Sequence, residues 1–531
     1  MNIMDAWVSL KIAGTPRAYG NTLGALSLVS LFTWSLLVGC WQTTSSPPSP
    51  ESTTGPAVPP PPPLLHGWEN PAAVVLLSAD QMGYLEPCGC SPLQSGGLGR
   101  RASLERQLRE RGWPVVGLDA GGLVKHSRKQ DRIKLEAILN GLHMLNYQGV
   151  AAGVSELRFP PEELLALFTE NEGVALGGML LSSNVLLFGQ RDLGVPKPWK
   201  LVSVGEIKLG VLAVLGEHAA REVKPEGVNL DLTLLPRVAA LEEWLPVLQA
   251  EHPHVLLLLH HGTPEEARET AARFPQFHVI LTTGGAEEPP LEPERVQDTL
   301  VVQVGHKGKH VGVLGIWRDT SPRFRWEVVQ LDHRRFDHDP RMDALMRQYQ
   351  QQLRDEKLAE SLDLEIRHPT GNTYIGAEQC GVCHKKAYEK WLMSKHALAY
   401  ESLIKGRKGE EARWISRIYD PECLACHVTG WHPQQVLRYT GGFVSAEQTP
   451  HLKGQQCENC HGPGSQHAEQ EWRVRREKRA VDDAVLAARA QVKRYANTAE
   501  KELCIHCHDG DNSPNFAFKK YWEQIRHPWK D

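Results

Sequence analysis

Four times in its last third the chain places two cysteines three positions apart and follows them at once with a histidine. The sets are Cys380, Cys383 and His384; Cys423, Cys426 and His427; Cys457, Cys460 and His461; and Cys504, Cys507 and His508. Two thiols at this spacing reach one edge of a porphyrin and form thioethers with its vinyl groups, while the adjacent imidazole points at the iron. Paired cysteines also make zinc sites or disulfides, but neither needs a histidine directly after every second cysteine. Four repeats that use every cysteine of the region therefore predict four covalently bound haem c groups. His384, His427, His461 and His508 are then the proximal iron ligands. The intervals between motifs are irregular, which excludes a solenoid array.

Seven further histidines from residue 368 onward could supply sixth ligands: His368, His396, His432, His451, His467, His506 and His527. Three have informative surroundings. His396 follows Trp391 in "YEKWLMSKHALAY", His467 follows the turn-forming "CHGPGSQH", and His527 closes "FKKYWEQIRHP". The stretches "CGVCHKKAYEKWLMSKHA", "CLACHVTGW", "CENCHGPGSQHA" and "CIHCHDGDNSPNFAFKKYW" resemble the tetrahaem cytochrome c-554 family. That resemblance implies distal roles for His396, His467 and His527. It leaves one haem either five-coordinate, as in that family, or completed by His368, His432, His451 or His506.

Upstream, apolar runs of strand length alternate with amphipathic helical stretches, which predicts a layered α/β fold with a mixed sheet. "AVVLLSA", "WPVVGLDAG", "IKLGVLAVLG", "HVLLLLHHG" and "HVILTTG" read as strands, and hairpins are expected at Gly205-Glu206 and Lys307-Gly308. The order of elements resembles the 5'-nucleotidase branch of the calcineurin-like metallophosphoesterases, whose paired metals build a hydroxide nucleophile and clamp a phosphate. Matched residue by residue, the metal ligands are mostly gone. Asp80 is kept but Met82 follows where a ligand belongs, and Gly122 replaces the bridging acid. Gly153 and Glu156 persist around Val154 and Ser155, His260 remains in "LHHG", and "TTGGAEEP" has lost both histidines. The resemblance thus implies a metallophosphoesterase-like domain that has lost phosphatase activity.

Cys88 and Cys90, one residue apart, are too close for an unstrained disulfide. They read as a redox thiol pair, as metal ligands, or as plain buried cysteines. Asp80, His260, Cys88 and Cys90 are the candidates for a non-haem metal in this part.

At the start, Lys11 and Arg17 precede the apolar run Leu23–Gly39, which is shorter than the roughly 20 residues a membrane span needs. It ends in Leu37-Val38-Gly39-Cys40, which resembles a bacterial lipobox and implies a membrane anchor on a lipidated Cys40; an uncleaved anchor is the alternative. A Pro/Ser/Thr-rich spacer follows, unable to form a core. The expected divisions are signal peptide 1–40, tether 41–71, α/β domain 72–338, a helical connector 339–373, and a mostly α multihaem cytochrome c domain with little regular sheet, 374–531. A net charge of -4 over 531 residues gives no electrostatic case for nucleic acid. The expected function is electron transfer outside the cytoplasmic membrane between redox donor and acceptor proteins. The alternatives are a redox enzyme acting on a small nitrogen or sulfur oxide at an open haem, a metal-dependent phosphoesterase fused to a cytochrome, or a docking module for a reductase.

Overall fold

The computed structural model describes residues 63–87, 94–169, 176–223, 231–318, 321, 323–406 and 411–527, all within one compact unit, Pro61–Asp531. The expected signal peptide, Cys40, most of the expected tether, Cys88 and Cys90 lie outside the described residues. The last residues of the expected tether are built into the fold: Leu65 is buried, and Trp68 packs on Trp113 and against the edge of Trp317. No helix among the described residues is long and apolar enough to cross a membrane.

Two mixed six-stranded sheets form the α/β region. One runs in the order Phe324–Gln330, His310–Ile316, Ala73–Ser78, Val115–Asp119, Tyr147–Ala151, Leu180–Leu181. The other runs Glu294–Val296, Thr299–Val302, Val279–Thr282, Val255–His261, Ile207–Leu215, Trp199–Val204. Their central strands are largely apolar on both faces because each is covered on both sides. In Ala73–Ser78, Val75 and Leu77 meet Val211, Leu257 and Leu281 of the other sheet, while Val74 and Leu76 face helices. Leu212, Val214, Leu256 and Leu258 likewise face the helices on the far side. The result is a helix–sheet–sheet–helix stack.

The expected hairpin at Gly205-Glu206 forms between Trp199–Val204 and Ile207–Leu215. The one expected at Lys307-Gly308 does not. Thr299–Val302 pairs in the second sheet and His310–Ile316 in the first, so residues 303–309 cross between sheets. Each flanking strand is already saturated by neighbours in its own sheet, which local sequence cannot reveal. This crossing brings Lys307 beside Asp80, with the Lys307 amide donating to the Asp80 carbonyl at 2.7 Å.

The helix Pro340–Asp355, expected as a connector, packs as part of the α/β core. Its stripe of Met342, Leu345, Met346, Tyr349 and Leu353 is buried with Leu98 of the helix Leu98–Glu110 and with Ile138 and Leu142 of the helix Lys129–Met144. Leu353→Ala should therefore cost about 2–5 kcal/mol in chemical unfolding. A loss within about 0.5 kcal/mol, the usual effect at a surface position, would return the helix to a mere linker.

Beyond it the chain is helix-rich, with one small three-stranded sheet of Glu365–Ile366, Leu437–Tyr439 and Trp431–His432. Its apolar core is modest, built round Tyr374, Tyr400, Leu403, Leu424, Trp431 and Phe443. The helices Lys385–Leu392, Ser465–Glu477 and Phe518–Ile525 bury none of their side chains in protein.

Candidate functional site

At the strand ends of the α/β region, Asp80 Oδ2 lies 3.6 Å from His306 Nε2 and 3.4 Å from the Gly284 amide. Burial raises the Asp80 carboxyl above its ordinary range, opposed by His261 and His306. Gly122, at φ +79°, presses on it: a Cβ there would sit 2.5 Å from Asp80 Oδ1. A bridging carboxylate at this position would have to displace Asp80.

Glu156 is fully buried and turned onto backbone. It accepts from the amides of Leu123 at 2.6 Å, Gly122 at 3.2 Å and Gly153 at 3.0 Å, and from Ser155 Oγ at 2.9 Å. His260 points away from Asp80, its Nδ1 3.1 Å from Thr282 Oγ1, and burial pushes it down to about 3. The next residue on the strand must face the other way. His261 does so, but both its nitrogens are engaged, Nδ1 with the Ala120 carbonyl at 2.8 Å and Nε2 with the Val154 amide at 3.2 Å. Behind them Asp119 is pushed up to about 6 by burial, against Ser78, Arg101 and Gly121. Among the described residues no group of three or more His, Cys, Asp or Glu side chains could hold a metal ion. The residues present do not fit a two-metal centre.

The Cys-x-x-Cys-His motifs are built differently. Each sits on a short helical turn: Ala377–Gly381, Pro421–His427, Cys457–His461 and Cys504–His506. In the first and fourth, the histidine amide donates to the carbonyl of the first cysteine, at 2.9 and 2.8 Å. One turn of helix puts residues i, i+3 and i+4 on one side, as a single porphyrin edge requires.

Polar side chains pin these turns. Asp420 caps the second, accepting from the Glu422 amide at 3.0 Å. Glu458, inside the third motif, accepts from Gly376 at 2.8 Å and Gly464 at 2.7 Å, tying the first motif to the third. The Cys380 and Cys457 side chains lie next to each other, so the attachment edges of these two motifs adjoin.

Three of the motif histidines each face a second imidazole. Ring centroids are 6.2 Å apart for His384 and His467, 5.8 Å for His461 and His527, and 6.1 Å for His508 and His396. A metal held at about 2 Å by one nitrogen of each ring needs centroids roughly 6 Å apart. The far nitrogens are held as ligands require: His461 Nδ1 lies 2.6 Å from the Val492 carbonyl and His508 Nδ1 2.9 Å from Ser513 Oγ. His427 Nδ1 lies 2.7 Å from the Ala399 carbonyl. Burial holds His461, His467 and His508 below the usual imidazole range and brings His396 down to about 4. This favours the neutral form that binds metal. The residues fit covalently attached haem c.

The sequence pattern of the family described as cytochrome c554 and c-prime matches residues 379–462. This segment is similar to cytochrome c554. Cytochrome c-554 of Nitrosomonas europaea is 34% identical over 98 residues, covering 17% of this chain and 39% of that protein. The chain therefore spans well under half of that relative. Among solved structures, the 5'-nucleotidase precursor of Thermus thermophilus aligns over 53% of this chain and 59% of its own, at 19% identity and a TM-score of 0.45. The sulfate thiohydrolase SoxB of the same species aligns over 54% and 62%, at 17% identity and a TM-score of 0.45.

Around the cytochrome c554-like segment, the other expected ligand candidates have different neighbours. His432 lies against His506 at 6.4 Å, and its Nδ1 accepts from the Gln435 amide at 3.3 Å. His368 packs on the rings of Tyr374 and Tyr439. Sequence reasoning missed His261, His306 and Lys307, since their surroundings come from segments up to two hundred residues away. It also missed Glu458 and Asp420. Their signal was present: an acid beside or within a haem motif, at a helix start.

Proposed function

We propose that this protein is an extracytoplasmic tetrahaem c-type cytochrome, anchored to a bacterial membrane through lipidated Cys40, that passes electrons between redox donor and acceptor proteins. The α/β region serves as a scaffold rather than a phosphatase. The observation that carries this reading is that three of the Cys-x-x-Cys-His histidines each have one second imidazole at a distance that suits two ligands of a single metal. Haem c supplies one-electron redox chemistry when bound, with potentials set by ligation, hydrogen bonding and burial.

The chain's own residues do the rest. The cysteines would fix each haem covalently, and the histidine pairs would supply the iron ligands of three of them. Cys380 and Cys457 stand side by side, which would bring the first and third attachment edges together and favour electron passage between them. Loss of the carboxylate at position 122 and capture of Glu156 by backbone amides support the scaffold role.

Pyridine-haemochrome analysis of the purified full-length protein should give four haems c per chain, and EPR should show at least three low-spin irons. One haem or none would sink the reading.

A further inference from the structure

Lys307 leaves the α/β body at the sheet-to-sheet crossing, with left-handed backbone at φ 63°. Its ammonium, only 14% exposed, bridges Glu287 at 2.8 Å and Asp511 at 2.7 Å. Lys307 and Lys309 together hold the Glu287 carboxyl down at about 2. Asp511 is gripped at two more points. The Tyr84 hydroxyl donates to its Oδ2 at 3.3 Å, and the Gln94 side-chain amide donates to its carbonyl at 2.9 Å.

Asp511 belongs to the loop Asp509–Ser513, which follows the fourth Cys-x-x-Cys-His motif directly. Inside the loop, Asp509 Oδ1 accepts from the amides of Asp511 at 3.1 Å and Asn512 at 2.7 Å. The Ser513 amide returns to the Asp509 carbonyl at 2.9 Å, and Ser513 Oγ reaches His508 Nδ1 at 2.9 Å. An unbroken series of contacts thus runs from the Asp80 backbone through Lys307 and Asp511 to the ring of His508.

We propose that Lys307 is a positioning residue for His508: through Lys307, Tyr84 and Gln94, the α/β region clamps the Asp509–Ser513 loop and fixes the hydrogen bond at His508 Nδ1. The proposal rests on the reading of His508 as a haem iron ligand. The partner of a ligand's far nitrogen sets both the orientation of the ring and its basicity, and so the potential of the metal it binds. The rim of a fold built around metal ions would then act on iron in the neighbouring part of the chain, without holding a metal itself. A generic surface ion pair would not do this, being worth about 0–1 kcal/mol and indifferent to which haem it lies near.

Spectroelectrochemical titration of the full-length haem-loaded protein separates the two. Lys307→Met keeps the aliphatic stem and removes the charge. It should change the redox equilibrium of one haem about tenfold, or about 59 mV for one electron, and leave the others in place. Lys307→Arg should restore the wild-type value.

Arg128→Ala removes another contact between the two regions, to the Gln435 carbonyl. It should move no potential. Should Lys307→Met fail to fold, Asp511→Asn preserves volume and must shift the same haem in the same direction. Unchanged potentials in these variants, or an equal drift of every haem including in Arg128→Ala, would overturn the clamp. Haem content of the wild-type protein, measured on the same preparations, reports separately on whether the tetrahaem reading holds.

Discussion

His467→Ala should leave the haem bound by Cys380 and Cys383 attached while turning one low-spin iron high-spin. The argument is geometric. His467 stands in the first turn of the helix Ser465–Glu477, and the Glu458 carboxylate anchors that helix start at the Gly464 amide, 2.7 Å away. The imidazole is thereby carried to a centroid distance of 6.2 Å from His384, at an interplanar angle of 21°. Alanine removes the ring and keeps helix propensity, so the helix and its anchor remain. The thioethers do not depend on the sixth ligand, and haem content should be unchanged.

Axial ligation spans roughly 0.8 V of haem potential, so loss of a strong-field imidazole should move this haem by about 0.1 V. EPR and redox titration read both effects. His368→Ala is the control, since that ring packs on Tyr374 and Tyr439. An unchanged low-spin count in His467→Ala would remove the main support for the axial pairs.

What made the Cys-x-x-Cys-His motifs legible was their locality: five consecutive residues contain both thiols and the histidine, and one helical turn presents them together. The layered α/β fold was legible for a related reason. Strands such as Ala73–Ser78 and Val255–His261 are apolar up to their last one or two residues because both their faces are covered. The division into two sheets was not. Thr299–Val302 and His310–Ile316 look like hairpin partners at close range, and only competition from Val279–Thr282 and Ala73–Ser78 separates them.

The same limit applied at the Asp80 site. Its surviving acid and glycine turn could be matched along the chain. That His261 rather than His260 faces it depends on strand pairing between Val255–His261 and its neighbours. His306 and Lys307 reach it only through the crossing. The tie between Lys307 and Asp511 joins residues 204 apart in sequence, beyond any periodic pattern.

The scaffold reading makes its largest demand at Glu156. In a working metal centre, removing a residue of the site chiefly abolishes metal binding and turnover. Here the carboxylate accepts three buried amide hydrogens and one hydroxyl, so Glu156→Ala strands the amides of Gly122, Leu123 and Gly153 without an acceptor. Each stranded buried donor costs about 1–3 kcal/mol, or about 3–9 kcal/mol together. That is a large share of the roughly 5–15 kcal/mol that holds a typical domain folded. Glu156→Gln keeps one acceptor oxygen but turns an NH2 toward an amide, and should fall between the two.

Asp80→Ala should behave in the opposite way. It removes a carboxylate whose burial already raises its pKa and whose amide contact, to Gly284, is a long 3.4 Å. Its cost should stay near or below about 1 kcal/mol. Denaturant titrations of the full-length protein, followed by far-ultraviolet circular dichroism with and without manganese or chelator, give the ranking directly. Glu156→Ala should be far the more damaging, and metal should shift neither midpoint. If Asp80→Ala proved the worse, or manganese raised the wild-type midpoint, the site would be holding a cation after all and the scaffold reading would fall.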